Sequence, residues 1–315
     1  MATELSTDAS GFDAGGSSSG HSTSKTIPVN LTAPLADIRF LVERALIEDL
    51  TPLGDLTSSL LDSDLRGSAT FAARRKGVLS GCVCVNETFT AVDARLQIQW
   101  LKVDGDRVEP GEPLAIATGP FASLLTAERT ALNFLSALSG VATNAARWIE
   151  LAGGRVKVWD TRKTTPGYRS LQKAAVRAGG AYNHRGNLSD WIMLKDNHLW
   201  GTTITEAVAE SKRRWPGRTV HVEVDREDQL KEALAAQADI VLLDNFTPDE
   251  LKSLVALVDA LTVDGGRRPL LEASGGITLD TLDAYADTGV DLVSSGSITN
   301  SAPVLDVGLD VVVEG

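Results

Sequence analysis

Residues 155–198 read RVKVWDTRKTTPGYRSLQKAAVRAGGAYNHRGNLSDWIMLKDNH, and the rest of the chain is organised around this stretch. Nine basic residues (Arg155, Lys157, Arg162, Lys163, Arg169, Lys173, Arg177, Arg185, Lys195) stand there against three acids (Asp160, Asp190, Asp196), in a chain whose formal net charge is -12. A positive island in an acidic protein marks a site for a small, highly charged anion. A nucleic-acid surface would instead make a whole domain basic. Residues 156–160 have the character of a short buried strand and run straight into Thr161-Arg162-Lys163-Thr164-Thr165, a polar loop closed by Pro166-Gly167. Ser170 is placed to cap the next helix, whose apolar face is Leu171, Ala174, Ala175 and Ala178, and Gly179-Gly180 stops it. A loop with Asn183-His184-Arg185 follows, then a strand over 191–194 that ends on Lys195. The pattern predicts one βαβ unit with cations at the carboxyl ends of both strands, where parallel sheets and barrels keep their ligands.

The 315 residues allow one large domain or two, and 43% hydrophobic content is ordinary for a soluble globular protein. No apolar run reaches the length of about 18 residues that a membrane span requires. The acidic isoelectric point, ≈ 4.8, argues against general binding to nucleic acid or membrane. Residues 1–30 are rich in Ser, Gly and Thr without the apolar core of a signal peptide, so a disordered tail is expected. Cys82 and Cys84 fall two apart in an apparent strand, which predicts packed thiols on one face and no bridge. Sparse cysteine and no export signal favour a reducing cytoplasm.

Taken in order, 35–50 carries a helical period through Ile38, Leu41, Val42, Ala45 and Leu46. Strand character follows at 68–73, 78–85, 96–103 and 113–118, so 31–140 is expected to form an α+β sandwich. Residues 126–150 are helical, with a break possible at Gly140. Arg129, Asn133, Ser136 and Gly140 form a polar, small-residue stripe on that helix, which fits either a solvated charge or a packed interface. From 141 to 304 strands and helices alternate, with strands at 156–160, 191–195, 220–224, 240–244, 270–273 and 292–294. Six such units predict an incomplete parallel α/β barrel, with an open doubly wound sheet as the competitor. The segment 305–315 alternates differently and is expected to return to the N-terminal domain.

The strand ends collect the chemistry: Thr161-Arg162-Lys163, Lys195, Glu223 with Asp225, Asp244, Ser274-Gly275-Gly276 and Ser295-Gly296-Ser297. Gly/Ser turns closing the last two strands of a barrel are a common phosphate site, although any βα loop can need glycine for φ > 0. Glu223 and Asp244 suit Mg²⁺, ribose hydroxyls, or a cationic transition state. Singly, either is better explained as the structural partner of a neighbouring Lys or Arg; both ending adjacent strands in a cationic pocket is less easily structural. No Ser-His-Asp or Cys-His arrangement is evident, and His21 and His221 read as structural or solvated. The pattern as a whole implies a substrate with phosphates, further anionic groups and a sugar.

These residues bring a family into view. The chain resembles quinolinate phosphoribosyltransferases, the carboxylating nicotinate-nucleotide pyrophosphorylases, over nearly everything after about residue 33. The matching motifs are Glu128-Arg129-Thr130 with Leu132-Asn133-Phe134, Asp160-Thr161-Arg162-Lys163-Thr164-Thr165-Pro166-Gly167, Asn183-His184-Arg185, Lys195-Asp196-Asn197-His198, Glu223, Asp244-Asn245, and Glu272-Ala273-Ser274-Gly275-Gly276-Ile277. The resemblance implies conversion of quinolinate and phosphoribosyl pyrophosphate, with Mg²⁺, into nicotinate mononucleotide, pyrophosphate and CO₂. It implies a homodimer, with room for a higher oligomer, in which Arg129 enters the partner's site. It assigns Arg162, His184, Arg185 and Lys195 to the carboxylates of quinolinate and Lys163, after Thr161 and Arg162, to the pyrophosphate. Glu223 and Asp244 then meet ribose and metal, while Ser274-Gly275-Gly276 and Ser295-Gly296-Ser297 cradle the 5′-phosphate.

Two positions depart from the family pattern. Asn300 stands where a histidine is usual, and Ala181 replaces a common third glycine. Competing readings are a transferase acting on nicotinate without decarboxylation, an aldolase using Lys195 as a Schiff-base nucleophile, and a non-enzymatic anion-binding protein.

Overall fold

The computed structural model describes residues 24–262 and 267–314. The N-terminal part runs α1 (Leu35–Leu50), β1 (Arg66–Ala73), β2 (Gly77–Val78), α2 (Cys82–Val92), β3 (Gln97–Trp100), β4 (Arg107–Val108) and β5 (Pro113–Pro120). The long α3 (Phe121–Ala152) leads into β6 (Lys157–Trp159), α4 (Arg169–Ala178), β7 (Ile192–Leu194), α5 (Ile204–Arg214), β8 (Val220–Val224), α6 (Glu227–Ala235) and β9 (Ile240–Asp244). The chain closes with α7 (Pro248–Thr262), β10 (Leu270–Ser274), α8 (Leu282–Ala286), β11 (Leu292–Ser294), α9 (Ser297–Asn300) and β12 (Val307–Val313).

Two sheets carry the architecture. The first has the order β12-β1-β5-β3, and β12 pairs antiparallel with β1, Val307 opposite Ala73. The second is six parallel strands in the order β6-β11-β10-β9-β8-β7, an incomplete barrel whose end strands β6 and β7 do not pair. Helix α3 joins the two parts and contributes to both cores. Its first half gives Leu124, Ala127, Ala131 and Leu135 to the N-terminal core with Phe71 and Phe89. Its second half gives Val141, Ala142, Ala145 and Trp148 to the barrel core with Val222, Val241 and Leu271.

The sequence allows a break at Gly140, but α3 runs unbroken through it. The glycine answers a different need: a Cβ there would lie 2.1 Å from the carbonyl oxygen of Pro303. The chain leaving the barrel for β12 crosses the helix at that point, with Leu305 N donating to Ser136 O.

Barrel register sets up the rest. Side chains two apart on a strand share a face, so His221 with Glu223, Leu242 with Asp244, and Glu272 with Ser274 project together. Glu223 pairs in register with Leu242, and Leu242 with Glu272; one layer further on, Asp244 pairs with Ser274. Acidic and hydroxyl groups are thereby stacked at the carboxyl end of the sheet.

Three local expectations change. Cys82 and Cys84 lie in α2, not in a strand, so their side chains diverge; Cys82 enters the N-terminal core and Cys84 the barrel core, both as free, buried thiols. The apolar run there fits a buried helix as well as a strand, and Gly81 at φ 107 starts the helix. The expected tail is shortened: residues 1–23 lie outside the described residues, but Lys25 N donates to Trp100 O and Trp100 N donates to Ser24 Oγ. Helix α4 begins at Arg169 with Tyr168 before it, so Ser170 is already inside, and Gln172 Oε1 accepts from Thr165 N across the preceding turn.

Gly140→Ala should lower the unfolding free energy by about 2–3 kcal/mol, the upper range for overpacking against backbone that cannot move aside. Urea denaturation followed by circular dichroism measures it, and an unchanged midpoint would mean the crossing is looser than described.

Candidate active site

A cleft of ≈ 830 Å³ opens at the carboxyl ends of the barrel strands, within the size range of small-molecule sites. Thr161, Arg162 and Lys163 reach it from the loop after β6, His184 and Arg185 from the loop after α4, and Lys195 from the end of β7. Glu223 on β8, Asp244 at the end of β9, Ser274-Gly275-Gly276 after β10 and Ser295-Gly296-Ser297 after β11 complete the wall. Of the site residues singled out from the sequence, all line this cleft except Arg129 and Asp225. Arg129 is exposed in the N-terminal half of α3, outside the lining.

The basic loops are held by a buried anchor. Asp160, fully buried at the end of the β6 segment, accepts from Lys173 Nζ at 2.6 Å, His184 N at 2.7 Å and Asn183 Nδ2 at 3.0 Å. Lys173 Nζ also donates to His184 O at 2.8 Å. Burial pulls the Asp160 carboxyl up and the Lys173 ammonium down, each opposed by the other's charge. The backbone on both sides of His184 is thus fixed by an ion pair from which water is excluded. Arg169 secures the preceding loop, donating from Nε to Thr164 Oγ1 at 3.0 Å and from one terminal nitrogen to Gly186 O at 3.1 Å.

Within the cleft the cations are partly uncommitted. Arg162 lines the cleft, and its Nε is buried without a hydrogen-bond partner among the described residues, a feature that calls for an explanation in any folded protein. Burial, then the charge of Arg162, lowers the pKa of Arg185, although a guanidinium stays charged at any physiological pH. Lys195 is paired with Glu223 through a short Nζ–Oε2 contact.

Glu223 and Asp244 are the carboxylates that face these cations. The Asp244 pKa is raised, by burial first and then by the charge of Glu223, with Lys195 and Lys163 opposing. A divalent cation between them would relieve that repulsion, and their hard oxygens suit Mg²⁺. Among the described residues no group of three metal-ligating side chains includes this pair, although the charge of Asp225 also acts on Asp244; the remaining positions would fall to water and substrate oxygens, as is usual for Mg²⁺. The residues present therefore fit the ion.

A second cluster forms part of the cleft wall through His184 and Glu272 and continues beneath it to His221. Glu272, fully buried on β10, approaches His184 Nε2 at 3.4 Å and His221 Nε2 at 3.1 Å through Oε2, while Ser294 Oγ donates to Oε1. Burial alone would raise the Glu272 carboxyl; the two imidazoles outweigh it and hold it well below the ordinary range. The contact to His221 is close but poorly directed, since neither ring nitrogen of His221 nor Oε2 of Glu272 has an aligned hydrogen bond. His184 is further enclosed by Trp191 and Trp159, with ring centroids 5.0 and 5.8 Å away. These nitrogen-rich groups are spaced as metal ligands, but of the zinc kind, so they are not the Mg²⁺ site. Sequence reasoning missed Glu272, which lines the cleft, whereas His221, read as structural or solvated, is fully buried behind it. The signal was available: each lies two positions before a recognised strand-end group, Ser274 and Glu223, and so shares its face.

The glycine turns are close-packed and open to the cleft. A Cβ on Gly275 would meet Asn245 Oδ1 at 2.3 Å, and one on Gly296 would meet the Lys163 stem at 2.6 Å. Asn300 lines the cleft and accepts from Ser301 Oγ at 2.9 Å. Ala181 is not among the residues with positive φ, so nothing in its backbone demands glycine.

Comparison with known proteins agrees along the whole described fold. Residues 55–139 match the family described as quinolinate phosphoribosyl transferase, N-terminal domain, and residues 141–310 match its C-terminal domain. A probable nicotinate-nucleotide pyrophosphorylase [carboxylating] of Bacillus subtilis is 39% identical over 277 residues, covering 87% of this chain and 93% of that protein. The nicotinate-nucleotide pyrophosphorylase [carboxylating] of Mycobacterium leprae is 37% identical over 87% of this chain and 96% of its own length. The solved nicotinate-nucleotide pyrophosphorylase of Francisella tularensis superposes with a TM-score of 0.84 at 36% identity, covering 91% of this chain and 100% of that one. With both domains matched and cations, carboxylates and glycine turns drawn into one cleft, the chain belongs to the quinolinate phosphoribosyltransferase family.

Proposed function

We propose that this chain transfers the phosphoribosyl group of phosphoribosyl pyrophosphate to quinolinate and decarboxylates the product, giving nicotinate mononucleotide, pyrophosphate and CO₂, a step of NAD biosynthesis. The observation that carries the reading is the convergence of Arg162, Arg185 and Lys195 with Glu223, Asp244 and two glycine turns in one cleft. Arg162, His184, Arg185 and Lys195 supply the charge and hydrogen bonds that two adjacent carboxylates require. Thr161 and Lys163 lie beside the last strand's turn, where pyrophosphate and 5′-phosphate are neutralised; Ser274-Gly275-Gly276 and Ser295-Gly296-Ser297 admit phosphate without side-chain obstruction.

The C1–O bond to pyrophosphate breaks and leaves an oxocarbenium-like ribose carbon, which Glu223 and Asp244 stabilise from the carboxyl ends of β8 and β9. Mg²⁺, when bound, neutralises charge on the leaving pyrophosphate. Lys163 shares that task. The pyridine nitrogen then bonds to the ribose carbon and the ring becomes cationic. The 2-carboxylate leaves as CO₂, its bonding pair stays on the ring carbon where the adjacent cationic nitrogen stabilises it, and a proton then bonds to that pair. Strong ion pairs to the departing carboxylate stabilise the ground state and slow its loss, so the tighter contacts belong to the carboxylate that stays.

Arg129, exposed and away from its own cleft, completes the site of a second copy in a homodimer. Asn300 keeps a donor toward the phosphate end without the charge a histidine could carry.

The test is incubation with phosphoribosyl pyrophosphate, Mg²⁺ and either quinolinate or nicotinate. Mononucleotide and CO₂ in equal amounts from quinolinate support the reading; product from nicotinate alone identifies the non-decarboxylating transferase, and borohydride trapping at Lys195 the aldolase.

Arg162→Ala and Lys195→Ala should each fold normally and lose about 10²-fold or more in kcat/KM, as removal of a charge-assisted contact costs. Near-normal turnover in both would refute these assignments. Arg129→Ala and Lys195→Ala chains, each inactive alone, should regain part of the activity when mixed, since one site of the hybrid dimer then carries both side chains. If mixing restores nothing, Arg129 works within its own chain.

A further inference from the structure

His221 is the most buried titratable ring in the barrel, with no exposed surface, and the reaction described above makes no use of it. Its neighbours define what it can do. Glu272 is equally buried, and the basic groups within ion-pair distance of it among the described residues are the two imidazoles of His184 and His221. One carboxylate oxygen therefore serves both rings, while the other is occupied by the Ser294 hydroxyl. A buried carboxylate charge must be met by such partners.

The two histidines differ in where they face. His184 lines the cleft and His221 does not; their ring centroids are 5.5 Å apart, inclined by 33°. Both members of the inner pair sit on hydrogen-bonded barrel strands: β8 bears His221 and β10 bears Glu272, with β9 between them. The His184 loop, by contrast, is irregular backbone pinned at Asp160 and Lys173.

We propose that His221 is a positioning residue for quinolinate binding: with Glu272 it forms a rigid, strand-borne clamp that fixes the ring of His184 against the cleft. The carboxylate fixes which edge of the His184 ring turns inward and so which nitrogen is presented to substrate. His221 keeps Oε2 between the two rings, so that the carboxylate does not swing away from His184. Burial lowers the His221 pKa, in keeping with a neutral ring beneath the site. This proposal rests on the reading of the cleft as a quinolinate site, and it concerns that substrate alone.

The experiment is steady-state kinetics on the full chain, varying each substrate, for His221→Leu, His221→Asn and His221→Gln. Circular dichroism and thermal unfolding establish which variants fold. Leu removes the nitrogens and Asn is too short to reach Oε2, so both should raise the quinolinate KM about 10-fold while the phosphoribosyl pyrophosphate KM stays within about twofold. Gln restores a donor of similar reach and should return the quinolinate KM to within about threefold of the parent value. If Leu does not fold, the Asn and Gln pair carries the same comparison. Parent-like kinetics in the Asn variant, a parallel rise in both KM values, or a metal ion retained by the parent chain after chelation would each overturn the proposal. A parent chain that fails to consume quinolinate at all would instead remove the functional reading on which it rests.

Discussion

Positive charge cannot be gathered on one rim of a barrel unless the protein supplies counter-charge before any substrate arrives. Arg162, Lys163, Arg185 and Lys195 all line one cleft, and like charges at such separations repel strongly where water is displaced. The structure meets this in layers. Asp160 lies behind the His184 loop and takes the Lys173 ammonium, Glu223 faces Lys195, and Glu272 lies under the imidazoles. Each acid fixes a cation-bearing element without filling the cleft. The cations that line the cleft are what an anionic substrate can still meet. An acidic protein with a net charge of -12 thereby keeps a local cationic site.

Helix α3 gives this arrangement its frame. Its two halves belong to different hydrophobic cores, so the N-terminal sandwich and the barrel share one rigid element. The close approach of the 303–304 backbone over Gly140 ties the end of the barrel to the same helix, and β12 then returns to pair with β1. Arg129 sits exposed on this helix and does not line the chain's own cleft.

Much of this was legible in the sequence, for local reasons. The strand-end groups from Arg162 to Ser297 lie where a buried strand passes into a polar loop, and that transition survives in any parallel α/β arrangement. The incomplete barrel followed from the same alternation. The misreadings have physical causes as well. The run around Cys82 and Cys84 is buried on most sides, and such a run carries no period to separate helix from strand. Gly140 looks like a helix breaker until a second chain segment crosses it, which only tertiary structure reveals. His221 and Glu272 read as solitary residues, because the third dimension of a sheet, which strand lies beside which, is what brings them together. Asp160 and Lys173 are 13 residues apart, yet their pairing depends on how α4 packs against β6.

The central claim is that one cleft holds both carboxylates of quinolinate on a preassembled set of cations. A diffraction structure of the chain with quinolinate bound tests it most directly. The account predicts the ligand at the carboxyl ends of the barrel strands, its carboxylates within hydrogen-bond distance of Arg162, Arg185 and Lys195, with little movement of the His184 loop. A ligand bound elsewhere, or one held only after that loop and its Asp160–Lys173 anchor have rearranged, would contradict it.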